Sequence, residues 1–320
     1  MVGHGGHVGR TSVISVLVLG LVLCVATLPG RAGAWGFDGH HATCLIAESL
    51  LQPATLKAVR SLLPEYANGS LASLCLWPDE IKRMPNYHWT YPLHYIDTPD
   101  LLCSYDYERD CYDEHGNKGL CASGAINNFT SQLTKLQLQG HSRPLLRKAH
   151  ETEHNFTEAL LFLSHIVGDI HQPLHVGFTS DGGGNTVLVE WYTHKTRLHH
   201  IWDDEIIERA KDLYYNKSLS TMVDAIMLNI TNNSVDQGQL WSECSNGEIA
   251  CPDTYATEGV NLACQYAYRN AAAGSILADE YFLSRLPIVE SRLAQGGVRL
   301  AAILNRLFSA KRSSHRLTFL

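Results

Sequence analysis

The chain has 320 residues, of which 45% are hydrophobic, with 25 Lys and Arg against 32 Asp and Glu, 17 His and 9 Cys. This length and hydrophobic content suffice for one large domain or two small ones with a proper core, which excludes a disordered chain and a small disulfide-stapled scaffold. The formal net charge of −7 argues against a protein that holds nucleic acid by neutralising many phosphates with its own Lys and Arg.

The N-terminal segment has the pattern of a secretory signal peptide. A basic residue precedes an apolar run over residues 13–28, and Ala32 and Ala34 stand at the −3 and −1 positions of a predicted cleavage site. Removal of residues 1–34 would make Trp35 the first residue and would take the formal charge from −7 to −9, since two Arg and no acid are lost. A signal anchor is the alternative, but the apolar run is shorter than the roughly 20 residues that a membrane-spanning helix needs.

Export changes the interpretation of the cysteines. Eight remain after residue 34, and an even number in an oxidising compartment favours four disulfides over zinc thiolates. Short loops favour pairing of Cys111 with Cys121 and of Cys244 with Cys251, and the other pairings stay open.

Glycosylation signals agree with export. Six Asn-X-Ser/Thr acceptor motifs are present, and they begin at Asn68, Asn128, Asn155, Asn216, Asn229 and Asn232. No stretch after residue 34 is apolar for long enough to cross a bilayer. The sequence therefore predicts a glycoprotein of the secretory pathway, extracellular or vacuolar.

Most of the chain after residue 34 has helical periodicity. Thr186–Tyr192 is the clear strand signal, and a turn at Thr193–Thr196 predicts a small hairpin. No repeat or linker divides the chain, so we expect one mostly α domain over residues 35–304, followed by a basic tail over 305–320 that is frayed or trimmed. Apolar residues recur three and four positions apart near 40–62, 122–139, 153–172, 200–213, 218–230 and 255–308.

Pairs of His and Asp point to metal binding. His165 and Asp169 are four residues apart in a predicted helix, and His199 and Asp203 repeat this spacing at the start of another. Residues four apart share one helix face, so each pair can bind or bridge metal ions. One such pair is more often a hydrogen-bonded surface pair, but two pairs flanking a further residue, His175, favour a metal cluster.

The segment after the predicted cleavage site adds further ligands. Cleavage before Trp35 frees an α-amine that forms a five-membered chelate with the carbonyl of the same residue, and His40 reaches the same ion. Asp79 and His94 lie in Pro-marked segments that would hold them rigidly. At roughly three to four protein ligands per catalytic zinc, these nine residues suit three zinc ions.

In these motifs the sequence resembles the single-strand-specific zinc nucleases of plants and fungi, which include nuclease I and the plant bifunctional nucleases and are related to bacterial zinc phospholipase C. The match covers nearly the whole mature chain. It rests on Trp35-Gly, Trp77-Pro-Asp79, His94-Tyr-Ile-Asp97, His165-Ile-Val-Gly-Asp169-Ile-His-Gln-Pro-Leu-His175, Asp181-Gly-Gly-Gly-Asn185 and His199-His-Ile-Trp-Asp203.

The resemblance implies the helical single-domain fold of the zinc phospholipase C and zinc nuclease type, with a small hairpin. It also implies a distribution of ligands over three ions. Asp79, His94, His165 and Asp169 would hold one zinc; the amine and carbonyl of Trp35, with His40 and the shared Asp169, a second; and His175, His199 and Asp203 a third.

Such a cluster suits hydrolysis at phosphorus. Two ions bridged by Asp169 can lower the pKa of a water between them, and a third can neutralise the leaving 3′ oxygen. The metals rather than a basic surface would then receive the phosphate. Lys82, three residues after Asp79, is predicted to stabilise charge on the phosphoryl oxygens, and a solvated surface lysine is the alternative.

Three further residues are predicted to contact the nucleotide. Tyr95 and Asp97, beside His94, can stack on a base and hydrogen-bond its edge. Only an unpaired base exposes both its face and its edge, which gives a reason for single-strand preference. By the resemblance, Asn185 helps to bind the nucleotide.

Three functions follow from these expectations. The leading one is a secreted monomeric zinc endonuclease and 3′-nucleotidase that cuts RNA and single-stranded DNA to 5′-phosphorylated products. The alternative is a zinc phosphodiesterase of the phospholipase C type, which would need an apolar surface to reach lipid, and no amphipathic segment rich in Trp and Lys is evident. The third is a zinc-bound structural glycoprotein without turnover.

Overall fold

The computed structural model describes residues 1–3, 35–140, 155–232 and 235–309. The predicted signal peptide and most of the predicted tail lie outside these residues. Within the described ranges, no helix combines the length and the apolar composition needed to cross a bilayer.

Helices make up most of the described chain, as the periodicity predicts. The helix predicted over 40–62 is divided before Pro53, because the residue that precedes a proline disfavours the helical conformation. The helices are α1 (Phe37–Ser49), α2 (Pro53–Leu62), α3 (Trp77–Ile81), α4 (Tyr107–Asp110), α5 (Ala122–Gly140), α6 (Phe156–Asp169), α7 (Leu198–His200), α8 (Ile206–Tyr214), α9 (Leu219–Asn232), α10 (Val235–Ser242), α11 (Pro252–Leu262) and α12 (Asp279–Phe308). Two 3₁₀ segments, Pro85–His94 and Pro173–Val176, matter for the site.

The long helix α12 is the centre of the bundle. It packs against α1, α2, α5, α6, α8, α9 and α10, while α5 and α6 pack against each other. One apolar cluster includes Phe129 and Phe162, whose rings stack with centroids 5.1 Å apart. A second surrounds the fully buried indoles of Trp35 and Trp202. The side of α1 and α6 between these clusters carries the site described below.

A three-stranded sheet lies beside the helices. β1 (Leu188–Trp191) pairs antiparallel with β2 (His194–Arg197), and Trp191 lies opposite His194. The hairpin is therefore confirmed, but the predicted turn at Thr193–Thr196 is wrong, because the chain already reverses at Tyr192 and Thr193. Tyr192 adopts the left-handed conformation with φ of 53° that this tight reversal requires.

The continuous helical pattern predicted over 255–308 is wrong, because a third strand interrupts it. β3 (Ile276–Leu277) pairs parallel to β1 and separates α11 from α12. The three alanines at 271–273 have high helix propensity and continue the periodic pattern. The helix instead ends before them: α11 stops at Leu262 and is followed by one π-helical turn to Ala267. Asn270 and Gly274 then take left-handed conformations, with φ of 62° and 85°, that do not fit a helix.

Four disulfides join the eight cysteines that follow residue 34, all of which the structure describes. Both predicted local pairs, Cys111–Cys121 and Cys244–Cys251, are confirmed. The two remaining bonds are Cys44–Cys75 and Cys103–Cys264, with sequence separations of 31 and 161. Cys44–Cys75 fastens α1 to the segment that precedes α3.

The predicted start of the tail at residue 305 is wrong, because α12 extends beyond it. The helix continues to Phe308, which is buried. Asn305 accepts a hydrogen bond from the backbone of Gln52 (2.9 Å) and donates one to the carbonyl of Leu50 (3.1 Å). Residues 305–308 therefore belong to the folded domain. Arg306, one of the basic residues that suggested a tail, is part of this fold, because it donates a hydrogen bond to the carbonyl of Ile249 at 2.9 Å.

Candidate metal centre

Distant parts of the chain bring the predicted ligand side chains together. His40 lies on α1, Asp79 on α3, His165 and Asp169 on α6, and His199 on α7; His94 and His175 lie on the two 3₁₀ segments, and Asp203 follows α7. Seven of these eight side chains are buried, while the side chain of Asp79 is 14% exposed. The cluster is therefore enclosed, with an opening on the side of Asp79.

One group of ligand atoms surrounds an oxygen of Asp169. Asp169 Oδ2 lies 2.9 Å from His94 Nδ1 and 3.3 Å from His165 Nε2, and the two imidazole nitrogens lie 3.1 Å apart. Asp79 Oδ1 lies 3.4 Å from His165 Nε2 and 3.5 Å from His94 Nδ1. Two carboxylates and two imidazoles converge on one small volume, as the predicted first ligand set requires.

The other oxygen of Asp169 faces His40. His40 Nε2 lies 3.3 Å from Asp169 Oδ1, and the His40 ring stacks on that of His165 with centroids 3.7 Å apart. Trp35 is fully buried and lies five residues before His40. The backbone N–H of Gly36 donates to the carbonyl of Asp203 at 3.1 Å, which fastens the start of the domain to the segment that carries another ligand.

A separate group consists of His175, His199 and Asp203, whose ligand atoms all lie within 4.8 Å of one another. His199 Nε2 lies 3.2 Å from His175 Nε2 and 3.3 Å from Asp203 Oδ2. His199 and Asp203 are four residues apart and face the same side, as the spacing predicts. This group matches the third predicted ligand set.

Backbone carbonyls orient three of the imidazoles. The Nδ1 atoms of His165, His175 and His199 lie 2.7, 2.6 and 2.6 Å from the carbonyl oxygens of Cys75, His94 and Gly183. A carbonyl oxygen only accepts hydrogen bonds, so each Nδ1 carries the proton and each Nε2 presents its lone pair to the cluster. Metal-binding histidines are oriented in this way.

The electrostatics of the site favour a bound cation. Burial lowers the pKa of His40, His94 and His175 well below the usual range, which keeps these imidazoles neutral and able to donate a lone pair. Burial raises the pKa of Asp169 and Asp203, because no positive side chain compensates their charge fully. Positive charge placed beside each carboxylate would remove that cost.

Several buried ligand atoms make no hydrogen bond within the described part of the chain. They are both ring nitrogens of His40, Nε2 of His94 and Oδ1 of Asp169. Buried polar atoms are nearly always paired in proteins, so such a concentration calls for a ligand. Imidazole nitrogens and carboxylate oxygens are donors that zinc accepts, and the residues present therefore fit the predicted metal.

Lys82 lies at the edge of the cluster. Its side chain is only 6% exposed, and Nζ lies 2.5 Å from Asp79 Oδ1 and 5.8 Å from the centre of the Tyr91 ring. The alternative of a solvated surface lysine is therefore wrong. A buried ammonium group beside a predicted metal ligand is placed to contact an anion bound at the same ions.

The segment after His94 carries the predicted base-binding pair. The backbone of Ile96 donates to the carbonyl of His175 at 2.8 Å, and that of Thr98 donates to Gly177 at 2.9 Å. Alternate side chains of an extended segment point to opposite sides. Buried Ile96 and Thr98 face the core, so the partly buried Tyr95 and Asp97 share the other side.

Asn185 follows a glycine loop next to the third ligand group. Its Nδ2 donates to the carbonyl of Gly182 at 2.8 Å, and its buried Oδ1 makes no hydrogen bond to the described residues. The same loop contacts His199 through the carbonyl of Gly183. Asn185 is thus two residues from the carbonyl that contacts His199, and its Oδ1 atom is available to a ligand.

Two partners of the ligand segments were not predicted from the sequence. Gln172 donates to Asp203 Oδ1 at 2.7 Å, although it lies inside the His165–His175 motif. Arg292 of α12 is fully buried and donates to the carbonyl of His171 at 2.9 Å, just after the end of α6. The signal in the sequence was the recurrence of arginine every seven residues, at Arg285, Arg292 and Arg299, which places three buried arginines on one face of α12.

Comparisons with known proteins point to one family. Residues 35–309 match the family model described as S1/P1 Nuclease. The chain is 54% identical to Endonuclease 4 of Arabidopsis thaliana over 290 residues, and this alignment covers 91% of this chain and 94% of that protein. It is 51% identical over 300 residues to Endonuclease 2 of the same plant, covering 94% and 98%. It is 30% identical over 284 residues to Nuclease S1 of Aspergillus oryzae, covering 86% and 92%.

Proposed function

The chain belongs to the S1/P1 nuclease family and is a nuclease, and we propose that it cuts RNA and single-stranded DNA with three zinc ions. We propose that it releases 5′-phosphorylated products and also hydrolyses 3′-nucleotides. Zinc dependence is a property of the family, whereas the number of ions and their ligands are our inference. The convergence of His and Asp side chains around Asp169 supports this inference most directly.

The ligands divide into three sets. Asp79, His94, His165 and Asp169 would hold one ion, and His175, His199 and Asp203 another. Trp35, through its amine and carbonyl, and His40 would share Asp169 with the first set to hold the remaining ion. The support for this division is that the two oxygens of Asp169 face different histidines, at 2.9 Å and 3.3 Å.

When bound, the zinc ions would supply a hydroxide nucleophile near neutral pH and positive charge for the leaving 3′ oxygen. Side chains of the protein would hold the ions and stabilise the transition state. Asp169 would hold two ligand sets at a fixed separation. Lys82 would donate hydrogen bonds to the phosphoryl oxygens, where negative charge develops in the transition state.

Substrate selection would depend on residues beside the ligands. Tyr95 would stack on a base, and Asp97 would accept hydrogen bonds from its edge, while Asn185 would offer its buried Oδ1 to the same nucleotide. A paired base hides its edge in the duplex, so these contacts would favour single strands. The negative charge of the chain is compatible with this substrate, because cations of the cluster would receive the phosphate.

We propose export and glycosylation for the same chain. Residues 1–34 would direct it into the secretory pathway, to the cell exterior or the vacuole, and the folded domain would begin at Trp35 and act as a monomer. Four disulfides support an oxidising compartment. All six acceptor asparagines are exposed, which a glycan requires: Asn68, Asn128, Asn155, Asn216, Asn229 and Asn232.

Hydrolysis by the processed protein tests the proposal. The protein, secreted from a eukaryotic host, is incubated with RNA, single-stranded DNA and phosphatidylcholine, each with and without a chelator. We expect acid-soluble nucleotides from both nucleic acids, loss of activity with the chelator, and recovery with zinc. Hydrolysis of phosphatidylcholine alone would favour the phospholipase alternative, and full nuclease activity in metal-free protein would overturn the zinc mechanism.

A further inference from the structure

A glycine loop supports the ligand His199 from outside the cluster. Gly182, Gly183 and Gly184 all have left-handed backbones, with φ of 60°, 66° and 82°. His199 Nδ1 donates to the carbonyl of Gly183 at 2.6 Å. This bond selects the tautomer in which Nε2 faces His175 and Asp203, so the position of one carbonyl sets the direction of a ligand.

The loop is packed too closely to admit a side chain at its middle glycine. A Cβ on Gly183 would lie 2.2 Å from the carbonyl oxygen of Leu174, next to the ligand His175. Glycine has more backbone freedom than any other residue, and three in succession do not hold one conformation by themselves. Other side chains must therefore fix the loop.

Asp181 and Tyr268 provide that support. Asp181 Oδ1 accepts hydrogen bonds from the backbone of Gly184 at 2.6 Å and from the hydroxyl of Tyr268 at 3.0 Å. The Tyr268 hydroxyl in turn accepts from the backbone of Phe178 at 3.0 Å, and the Tyr268 ring stacks on that of Phe178 with centroids 4.4 Å apart. The carbonyl of Phe178 accepts from Gly183 at 3.0 Å. Gly183 is therefore tied to Phe178 directly, and Gly184 is tied to Tyr268 through Asp181.

We infer that Asp181 and Tyr268 are positioning residues that set the zinc affinity of the His175, His199 and Asp203 group through the glycine loop. The inference rests on the proposed function, because it assumes that this group binds zinc. Neither residue is one of the proposed ligands or substrate contacts. The carboxylate acts here as a hydrogen-bond acceptor, and its charge is not required.

Substitutions at the two positions separate hydrogen bonding from charge. Asp181→Asn keeps an acceptor oxygen for Gly184 and Tyr268 but removes the charge, Asp181→Ala removes both, and Tyr268→Phe removes one hydroxyl while keeping the stacked ring. Asp100→Asn is the matched control, since Asp100 is an exposed carboxylate that accepts from the backbone of Ser180 at 3.1 Å, beside the same loop.

The readout is zinc affinity in the zinc-loaded, processed protein, measured by competition with a colorimetric chelator, with the melting temperature recorded in parallel. For Asp181→Ala and Tyr268→Phe we expect one ion to bind about 10-fold more weakly and the others to be unchanged. This is the lower end of the loss that follows removal of a ligand's own hydrogen-bond partner, because the Gly183 carbonyl stays present but is no longer held in place. Asp181→Asn and Asp100→Asn should retain the affinity of the wild-type protein.

Three results would overturn the inference. The first is wild-type affinity for every ion in folded Asp181→Ala or Tyr268→Phe protein, even if the melting temperature falls. The second is equal loss in Asp181→Asn and Asp181→Ala, which would assign the effect to charge. The third is a wild-type protein that binds no zinc, which overturns the proposed function as well. If Asp181→Ala does not fold, Tyr268→Phe alone decides the question.

Discussion

His40 Nε2 lies 3.3 Å from Asp169 Oδ1, and both side chains are fully buried. The contact joins α1, at the start of the domain, to α6 in its middle. Because the second oxygen of Asp169 faces His94 and His165, one carboxylate faces two groups of potential ligands. Asp169 is therefore the residue on which the proposed two-ion arrangement depends.

Replacement of Asp169 tests this arrangement. Asp169→Asn keeps the size of the side chain but removes the charge that two ions would share, so we expect the rate of RNA hydrolysis to fall on the order of a hundredfold or more. The rate and the zinc content are measured together. Asp212→Asn, at an exposed carboxylate on α8, is the control and should leave both unchanged. Near-normal turnover of Asp169→Asn with full zinc occupancy would contradict a bridging role.

Lys82 allows a contact with the transition state to be separated from metal binding. Lys82→Ala should lower kcat on RNA while the zinc content stays that of the wild-type protein, because the ammonium group donates to phosphoryl oxygens and is not a ligand. Lys57→Ala, at an exposed lysine on α2, serves as the control. Unchanged kcat would place the stabilising charge elsewhere, and a loss of zinc would show that Lys82 maintains the cluster.

Tyr95 tests the basis of single-strand preference. Tyr95→Ala should weaken the binding of short single-stranded oligonucleotides by roughly 1–3 kcal/mol, the usual contribution of one aromatic side chain stacked on a base. Tyr95→Phe keeps the ring and should bind almost as the wild type does. The comparison uses Michaelis constants on oligonucleotides of one length, with zinc content measured in each variant. An unchanged constant in Tyr95→Ala would mean that the base is held by other residues.

The start of the mature chain gives a further prediction. An extra residue before Trp35 converts its amine into an amide, which is a poor ligand, and shifts the segment that Gly36 fastens to Asp203. An N-terminally extended form should therefore fold and keep its disulfides, but lose one zinc ion and most of its activity. Protease removal of the extension should restore both. Full zinc content and full turnover with the extension in place would leave Trp35 as a core aromatic residue only.

The sequence predicted those parts of the site that depend on local geometry. Residues four apart on a helix must share a face, and this rule placed His165 with Asp169 and His199 with Asp203. The local disulfides Cys111–Cys121 and Cys244–Cys251 followed in the same way from short loops. His40 follows as a ligand from its place near the free amine of Trp35, and Asp79 and His94 from their Pro-marked segments. The resemblance to a family then distributes these residues over particular ions.

Features that depend on tertiary contacts could not be predicted. The disulfide Cys103–Cys264 joins residues 161 apart, and no local signal selects it among the alternatives. β3 forms because a partner strand is available, against the helix propensity of the alanines before it. Buried Arg292 acts on backbone carbonyls, which have no sequence signature.

The most direct test of a three-zinc nuclease is the position of the metals. Crystals of the processed protein, grown with zinc, would be measured on both sides of the zinc absorption edge, and the same preparation would be assayed on RNA. We predict three anomalous peaks: two on either side of the Asp169 carboxylate and one among His175, His199 and Asp203. A preparation that hydrolyses RNA but has no zinc peak at Asp169 would contradict the account.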